Sequence, residues 1–151
     1  MTVRIARIFN TYGPRMRPDD GRVIPTFVTR ALAGRPLPVF GTGRQTRSFC
    51  YVDDMVEALL ALAESDYADP VNLGNPDEVR ILDLAREIVR LAGSRSLLEA
   101  APLPSGDPSR RRPDVTLALR TLGWRPTVIR RDGLERTIDW FREHEMPGQK
   151  S

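Results

Sequence analysis

The chain has 151 residues, 40% of them hydrophobic and 28% charged, with a formal net charge of +3 and a single cysteine, Cys50. That length suits one domain with a real core, and no apolar run approaches the ~20 residues that a membrane span needs. The opening MTVRIARIF lacks the layout of a secretory leader, and one cysteine excludes an internal disulfide framework and points to the cytoplasm.

Of the 23 basic residues only Lys150 is a lysine. Genomic composition explains part of that bias. The planar arginine fork, which binds phosphate or carboxylate through two bonds, explains the rest.

In chain order, VRIARIF (3–9) is a β-rich run that feeds the turn residues TYGPR. VIPTFVTRALAG (23–34) has apolar residues at 24, 27, 28, 31 and 32, a helical face closed by Gly34. LPVF (37–40) is a brief strand ending at a glycine pair, and SFCYV (48–52) is another. Asp53 or Asp54 is placed to cap the helix through MVEALLALAES. PVNLGN (70–75) reads as a buried strand, and ILDLAREIVRLAG (81–93) as a helix with 81, 84, 85, 88 and 92 on one face. A strand is expected around LLEAAPL, a loop over SGDPSRRRPD (105–114), and a short helix over 115–124 ending at Gly123. Asp132 with Glu135 resembles a capping box opening a last helix whose 134, 138 and 141 face inward. Isolated strands mixed with helices give an α/β or α+β class. A domain over 1–145 with a flexible tail over 146–151 is the expected organisation.

The stretch GTGRQTRSFCYVDD (41–54) carries two glycines and two arginines where a phosphate loop could sit. A dinucleotide fingerprint needs G-x-G-x-x-G between a strand and a helix. Here Thr46 stands at the third glycine position and the following residues look extended. The better reading is a turn between two strands, with Gly41 and Gly43 supplying backbone freedom and Gln45 and Arg47 projecting beyond it.

RIFNTYGPRMRPDDGRV, PLPVFGTGRQTRSFCYVDD, PVNLGNPDE and SRRRPDV occur in that order. Together they resemble the C-terminal, substrate-binding half of extended short-chain dehydrogenase/reductases acting on nucleotide sugars, most closely the UDP-glucuronic acid decarboxylases. The likeness covers residues 3 to 143. It implies an α/β, Rossmann-type fold whose short strands and helices form the substrate-binding domain, with the N-terminal dinucleotide-binding half absent.

The resemblance also implies the ligand contacts. Arg47 maps to an arginine on the UDP diphosphate, Val39 and Phe40 to the uracil-contacting segment, and Asn10 to a contact with the sugar–phosphate part. Arg111 maps to an arginine reaching the diphosphate, the sugar and its carboxylate, and Asp114 to a partner of the ribose hydroxyls. Arg22 maps to a position near the cofactor. The implied reaction oxidises C4 of UDP-glucuronate against NAD, loses carbon dioxide from the β-keto acid, and reduces the ketone to give UDP-xylose.

Hydride transfer in that superfamily uses a tyrosine with a lysine four residues on. Tyr12, Tyr51 and Tyr67 are followed at that spacing by Met16, Met55 and Val71. With the glycine-rich NAD loop and the Y-x-x-x-K pair both missing, the chain is expected to bind UDP-sugar without catalysing alone. Expected partners are an N-terminal Rossmann half or a second copy, because a lone half exposes a strand edge and apolar surface.

Three alternatives remain open. An epimerase or a 4,6-dehydratase fragment shares the Arg47 and Arg111 roles. A non-catalytic UDP-sugar-binding module shares the ligand. A nucleic-acid-binding domain is suggested by the pI of about 9.6 and by the run Arg110–Arg112, but acidic residues nearly balance the arginines and the aromatics occupy core spacings. Cys50 reads as a small buried hydrophobe and His144 as a helix-end residue, and no metal-ligand cluster is present.

Overall fold

The computed structural model describes residues 3–103, 106 and 108–144. The tail expected over 146–151 lies outside these, as do two residues of SGDPSRRRPD. In chain order the elements are β1 (Ala6–Ile8), β2 (Thr11–Tyr12), α1 (Val23–Leu32), β3 (Leu37–Phe40), β4 (Thr46–Ser48), β5 (Cys50–Tyr51), α2 (Val52–Glu64), β6 (Val71–Leu73), β7 (Glu78–Arg80), α3 (Ile81–Leu91), β8 (Leu98–Ala101), β9 (Arg110–Arg111), α4 (Thr116–Leu122) and α5 (Arg130–His144). The class is α/β. Strands β1–β6, β2–β5 and β3–β8 pair in parallel, and β4 lies between β7, antiparallel, and β9, parallel.

The helices follow their apolar spacing. Helix α1 buries Ile24, Phe27, Val28 and Ala31 and tolerates Pro25 in its first turn, where no intrahelical donor is needed. Helix α3 buries Ile81, Leu84, Ala85 and Ile88. Helix α4 stops at Gly123, whose φ of 63° suits a left-handed cap. Helix α5 turns Leu134, Ile138 and Phe141 inward, the face expected from the sequence. These three join Phe27, Leu37 and Leu84 in the main core, and a second cluster gathers Cys50, Met55, Leu62, Leu73 and Trp124 under α2 and α4. Each large side chain so buried contributes about 1.5–3 kcal/mol.

The strands depart further from expectation. The run 3–9 is strand only over 6–8, while Thr11 and Tyr12, read as turn residues, pair with Cys50 and Tyr51. SFCYV divides into the end of β4 and β5, with Phe49 between them. Strand β7 is an addition, and the expected loop over 105–114 contains β9. Strand β1 has β6 on one side and, among the described residues, no neighbour on the other; Ile8 within it and Ile5 just before it are exposed.

Both expected acidic caps are replaced. Helix α5 begins at Arg130, which puts Asp132 inside its first turn. Helix α2 starts after Tyr51 without a side-chain cap, and Asp53 is exposed. Asp54 is 1% exposed and serves the distant loop before α5 instead. It accepts from the Thr127 amide, the Thr127 hydroxyl and the Val128 amide, each at 3.0 Å. That loop carries donors with no helix or sheet to satisfy them, so the carboxylate takes them.

Tyr12 docks the other end of the same junction. Its hydroxyl donates to the Arg130 carbonyl at 3.1 Å, and its ring meets Tyr51 edge-on at 5.6 Å between centroids. Burial pushes the phenol well above its ordinary pKa. Gly133 lies against the Tyr12 hydroxyl, so closely that a Cβ there would collide with it.

Asp54→Ala is expected to lower unfolding stability by about 3 kcal/mol, because it leaves three donors without a partner. Asp53→Ala is expected to change it by less than about 0.5 kcal/mol. Urea denaturation of both variants checks the contrast.

Candidate functional site

The turn between β3 and β4 is built from its two glycines. Gly41 and Gly43 have φ of 60° and 67°. A Cβ on Gly43 would lie 2.7 Å from Val39 Cγ1 and 2.8 Å from Leu82 Cβ, so only glycine lets the turn settle on α3. The Gln45 side chain closes the turn by donating to the Phe40 carbonyl at 3.0 Å. The pair joins strand to strand and opens no helix, which agrees with rejection of the dinucleotide fingerprint.

Behind this turn lies a cavity of about 220 Å³ whose lining includes Asn10, Tyr12, Arg22, Phe40, Arg47 and Phe49. Asn10, Arg22, Phe40 and Arg47, far apart in sequence, are thereby brought together. Asn10 Nδ2 donates to the Ser48 carbonyl at 3.3 Å, and the Asn10 carbonyl accepts from the Cys50 amide at 2.9 Å. Arg22 is engaged by Asp20, its Nε donating to Oδ2 at 2.6 Å. Phe40 is 42% exposed and forms part of the wall, whereas Val39 is 5% exposed and belongs to the core. Strand alternation accounts for that difference. Of the pair expected from the resemblance, Phe40 alone reaches the cavity.

Arg47 is only 9% exposed and donates from Nη1 to the Thr46 carbonyl at 2.8 Å. Its register partner on β9 is Arg111. Directly opposed residues on adjacent strands share a sheet face and stand about 4.8 Å apart. Val79 of β7, the register partner of Arg47 on the other side, belongs to that face as well. Arg111 is exposed and does not line the cavity; it extends the row from Arg47 outward.

The opposite face of the sheet carries Thr46, Ser48, Glu78 and Arg110. Arg110 grips Glu78 with Nε at 2.9 Å from Oε1 and Nη2 at 2.6 Å from Oε2. Thr46 Oγ1 donates to Glu78 Oε1 at 2.7 Å. The hydrogen bonds from Arg110 and then Thr46 hold the Glu78 carboxyl at about 2, far below its ordinary 4.5.

Asp114 is separate. It is exposed and borders an open groove with Arg110, Arg112 and Pro113. Its Oδ1 accepts from the Thr116 amide at 2.9 Å, and hydrogen bonding to the Thr116 side chain and then its amide holds the carboxyl below its usual range. Cys50 is wholly buried, and burial pushes its thiol up to about 12. His144 stacks on Trp140 at 4.8 Å. Among the described residues no group of His, Cys, Asp and Glu could hold a metal, and no helix is long and apolar enough to cross a membrane.

Residues 1–74 match the NAD dependent epimerase/dehydratase family. The chain is 48% identical over 150 residues to UDP-glucuronic acid decarboxylase 1 of Danio rerio, covering 97% of this chain and 36% of that protein. It is 48% identical over 148 residues to UDP-glucuronic acid decarboxylase 4 of Arabidopsis thaliana, covering 98% and 33%. An epimerase structure from Methanothermobacter thermautotrophicus superposes with a TM-score of 0.92 at 33% identity, over 97% of this chain and 45% of that one. UDP-glucuronic acid 4-epimerase from Bacillus cereus, in complex with UDP-glucuronic acid and NAD, superposes with a TM-score of 0.87 at 30% identity, over 95% and 46%. The chain thus spans about a third of the length of the curated relatives it matches. Strong homology to NAD-dependent UDP-sugar epimerases and decarboxylases of the extended short-chain dehydrogenase/reductase superfamily runs through it, and its α/β fold is Rossmann-like.

Two outcomes follow from the titrating groups. The Cys50 thiol should stay unreactive toward a thiol reagent at about pH 8 until the chain unfolds, a point read from reaction rates with and without urea. The depressed Glu78 carboxyl stabilises the fold above its unfolded value of 4.5 and loses that contribution as pH falls toward about 2. Glu78→Gln should therefore flatten the fall of the urea midpoint over that window, and equal slopes in the two proteins would refute the assignment.

Proposed function

We propose that this chain, homologous to the NAD-dependent UDP-sugar epimerases and decarboxylases, forms the substrate-binding half of an enzyme that decarboxylates UDP-glucuronate to UDP-xylose. The observation that carries the reading is the pairing of Arg47 with Arg111 at opposed positions on β4 and β9, at the edge of a largely apolar cavity. Two guanidinium groups on one sheet face suit a diphosphate, because each charge-assisted bond contributes on the order of 1.5–3 kcal/mol. The cavity, at about 220 Å³, is smaller than the roughly 300–1,000 Å³ of a complete ligand pocket. It therefore encloses one ring of a nucleotide sugar and leaves the diphosphate at the cavity's rim, between buried Arg47 and exposed Arg111.

In this reading Phe40 and the backbone at Val39 flank the uracil, Asn10 meets the sugar–phosphate part, and Asp114 accepts from the ribose. Arg111 also faces the sugar carboxylate. The decarboxylase assignment is favoured over an epimerase or a dehydratase by identity: 48% to the decarboxylase of Danio rerio, against 33% to the epimerase of Methanothermobacter thermautotrophicus and 31% to a dTDP-glucose 4,6-dehydratase.

In the family reaction NAD supplies the hydride acceptor and donor. The residues present do not fit a dinucleotide loop: Gly41 and Gly43 make a strand-to-strand turn, and no tyrosine has a lysine four residues on. Arg22, the one residue assigned near the cofactor, is held by Asp20. Cofactor binding and proton transfer are accordingly proposed to belong to sequence outside these 151 residues, and the chain alone to bind without turnover.

Calorimetric titration with UDP and UDP-glucuronate tests the reading. Binding should weaken at least about tenfold in Arg47→Ala and in Arg111→Ala, with no UDP-xylose formed by the chain alone when NAD is added. Unchanged affinity in both folded variants would overturn it.

A further inference from the structure

We infer that Glu78 is a positioning residue of the anion site: gripping Arg110 and Thr46 on one face of the sheet, it holds β9 in the register that sets Arg111 beside Arg47 on the other. The inference rests on the proposed function and deepens it, by saying what selects one arginine of three.

Strand β9 has only two residues and lies at the edge of its sheet. Besides the ladder itself, its backbone ties among the described residues are the Thr46 amide to the Ser109 carbonyl at 3.0 Å and the Ser48 hydroxyl to the Arg111 carbonyl at a long 3.5 Å. So short a strand specifies its register weakly, and a slip of one residue exchanges the faces of all its side chains. A slip here would replace Arg111 with Arg110 or Arg112 beside Arg47. Side-chain contacts must decide among them.

Glu78 discriminates by face. Its carboxylate takes both Nε and Nη2 of Arg110 and the hydroxyl of Thr46, so that one side chain of β7 ties together all three strands. Arg112 Nη1 lies 3.9 Å from the same carboxylate. Among the described residues no hydrogen bond or ion pair engages the side chain of Arg111, which alternation turns to the other face. The carboxylate, on the far face, stays away from a bound anion, so it orders the arginine row without repelling the ligand. A planar, two-bond grip fixes orientation as well as distance.

The test is titration with UDP and with uridine of the unaltered chain, Glu78→Ala, Glu78→Gln, Arg111→Ala and the Glu78→Ala/Arg111→Ala double variant. Glu78→Ala should weaken UDP roughly tenfold and leave uridine, which has no phosphate, unchanged. In the Arg111→Ala background it should have no further effect on UDP. Glu78→Gln keeps the shape and one acceptor oxygen, and should restore part of the loss. It also makes the same comparison if Glu78→Ala does not fold, as judged by circular dichroism. Equal losses for UDP and uridine, or losses that add in the double variant, would overturn the inference by showing general support of the fold. UDP binding indifferent to both Glu78 variants would overturn it alone, whereas no UDP binding by the folded, unaltered chain would sink the proposed function and this role with it.

Discussion

Strand β4 is three residues long, and both faces of the site hang from it. Its central residue, Arg47, shares a face with Val79 of the core and Arg111 at the rim. Its flanking residues, Thr46 and Ser48, share the other with Glu78 and Arg110. A pleated strand can serve two such faces because successive side chains alternate. One face joins the core to the arginine row and the other carries the ion pair that keeps the row in place. The geometry therefore depends on pairing β4 with β7 and β9 together, and neither pairing alone gives the same row.

A second constraint fixes the cavity from behind. Tyr12 lines it and also bonds to the first residue of α5, while Gly133 yields the space its hydroxyl needs. Asp54 gathers the loop that leads into that helix. The wall of the cavity and the seating of the last helix thus depend on the same few contacts, and a change at Gly133 would reach the site through Tyr12 without touching ligand.

The helices were legible because an apolar stripe at helical spacing reports burial within one segment: Ile24, Phe27, Val28 and Ala31, or Leu134, Ile138 and Phe141, need no knowledge of partners. The glycine turn was legible for the same local reason. Strand β7 was not, since Glu78–Arg80 offers a single apolar residue between two charged ones. The acidic caps at Asp54 and Asp132 failed because a cap motif only states local capacity. Asp54 finds its donors 73 and 74 positions away, and Glu78 finds Arg110 at a separation of 32. Arg47, Arg111, Asn10 and Phe40 are legible only through the resemblance, which does not separate Val39 from Phe40; strand alternation does. Tyr12 and Phe49 as cavity walls carried no signal beyond their aromatic character.

The order of the strands has a consequence for synthesis. Strand β1 pairs with β6, β3 with β8, and β4 reaches its second partner only in β9, the last strand among the described residues. On the ribosome, where residues are added at about 5–20 per second, each early strand waits on the order of seconds for its neighbour. Through that interval the apolar edges of β1 and β3 stand open on a nascent chain. Helix α1 can form and pack locally, but the arginine row cannot exist until Arg110 and Arg111 have left the exit tunnel. The juxtaposition of Arg47 and Arg111 is thus among the last features of the fold to form.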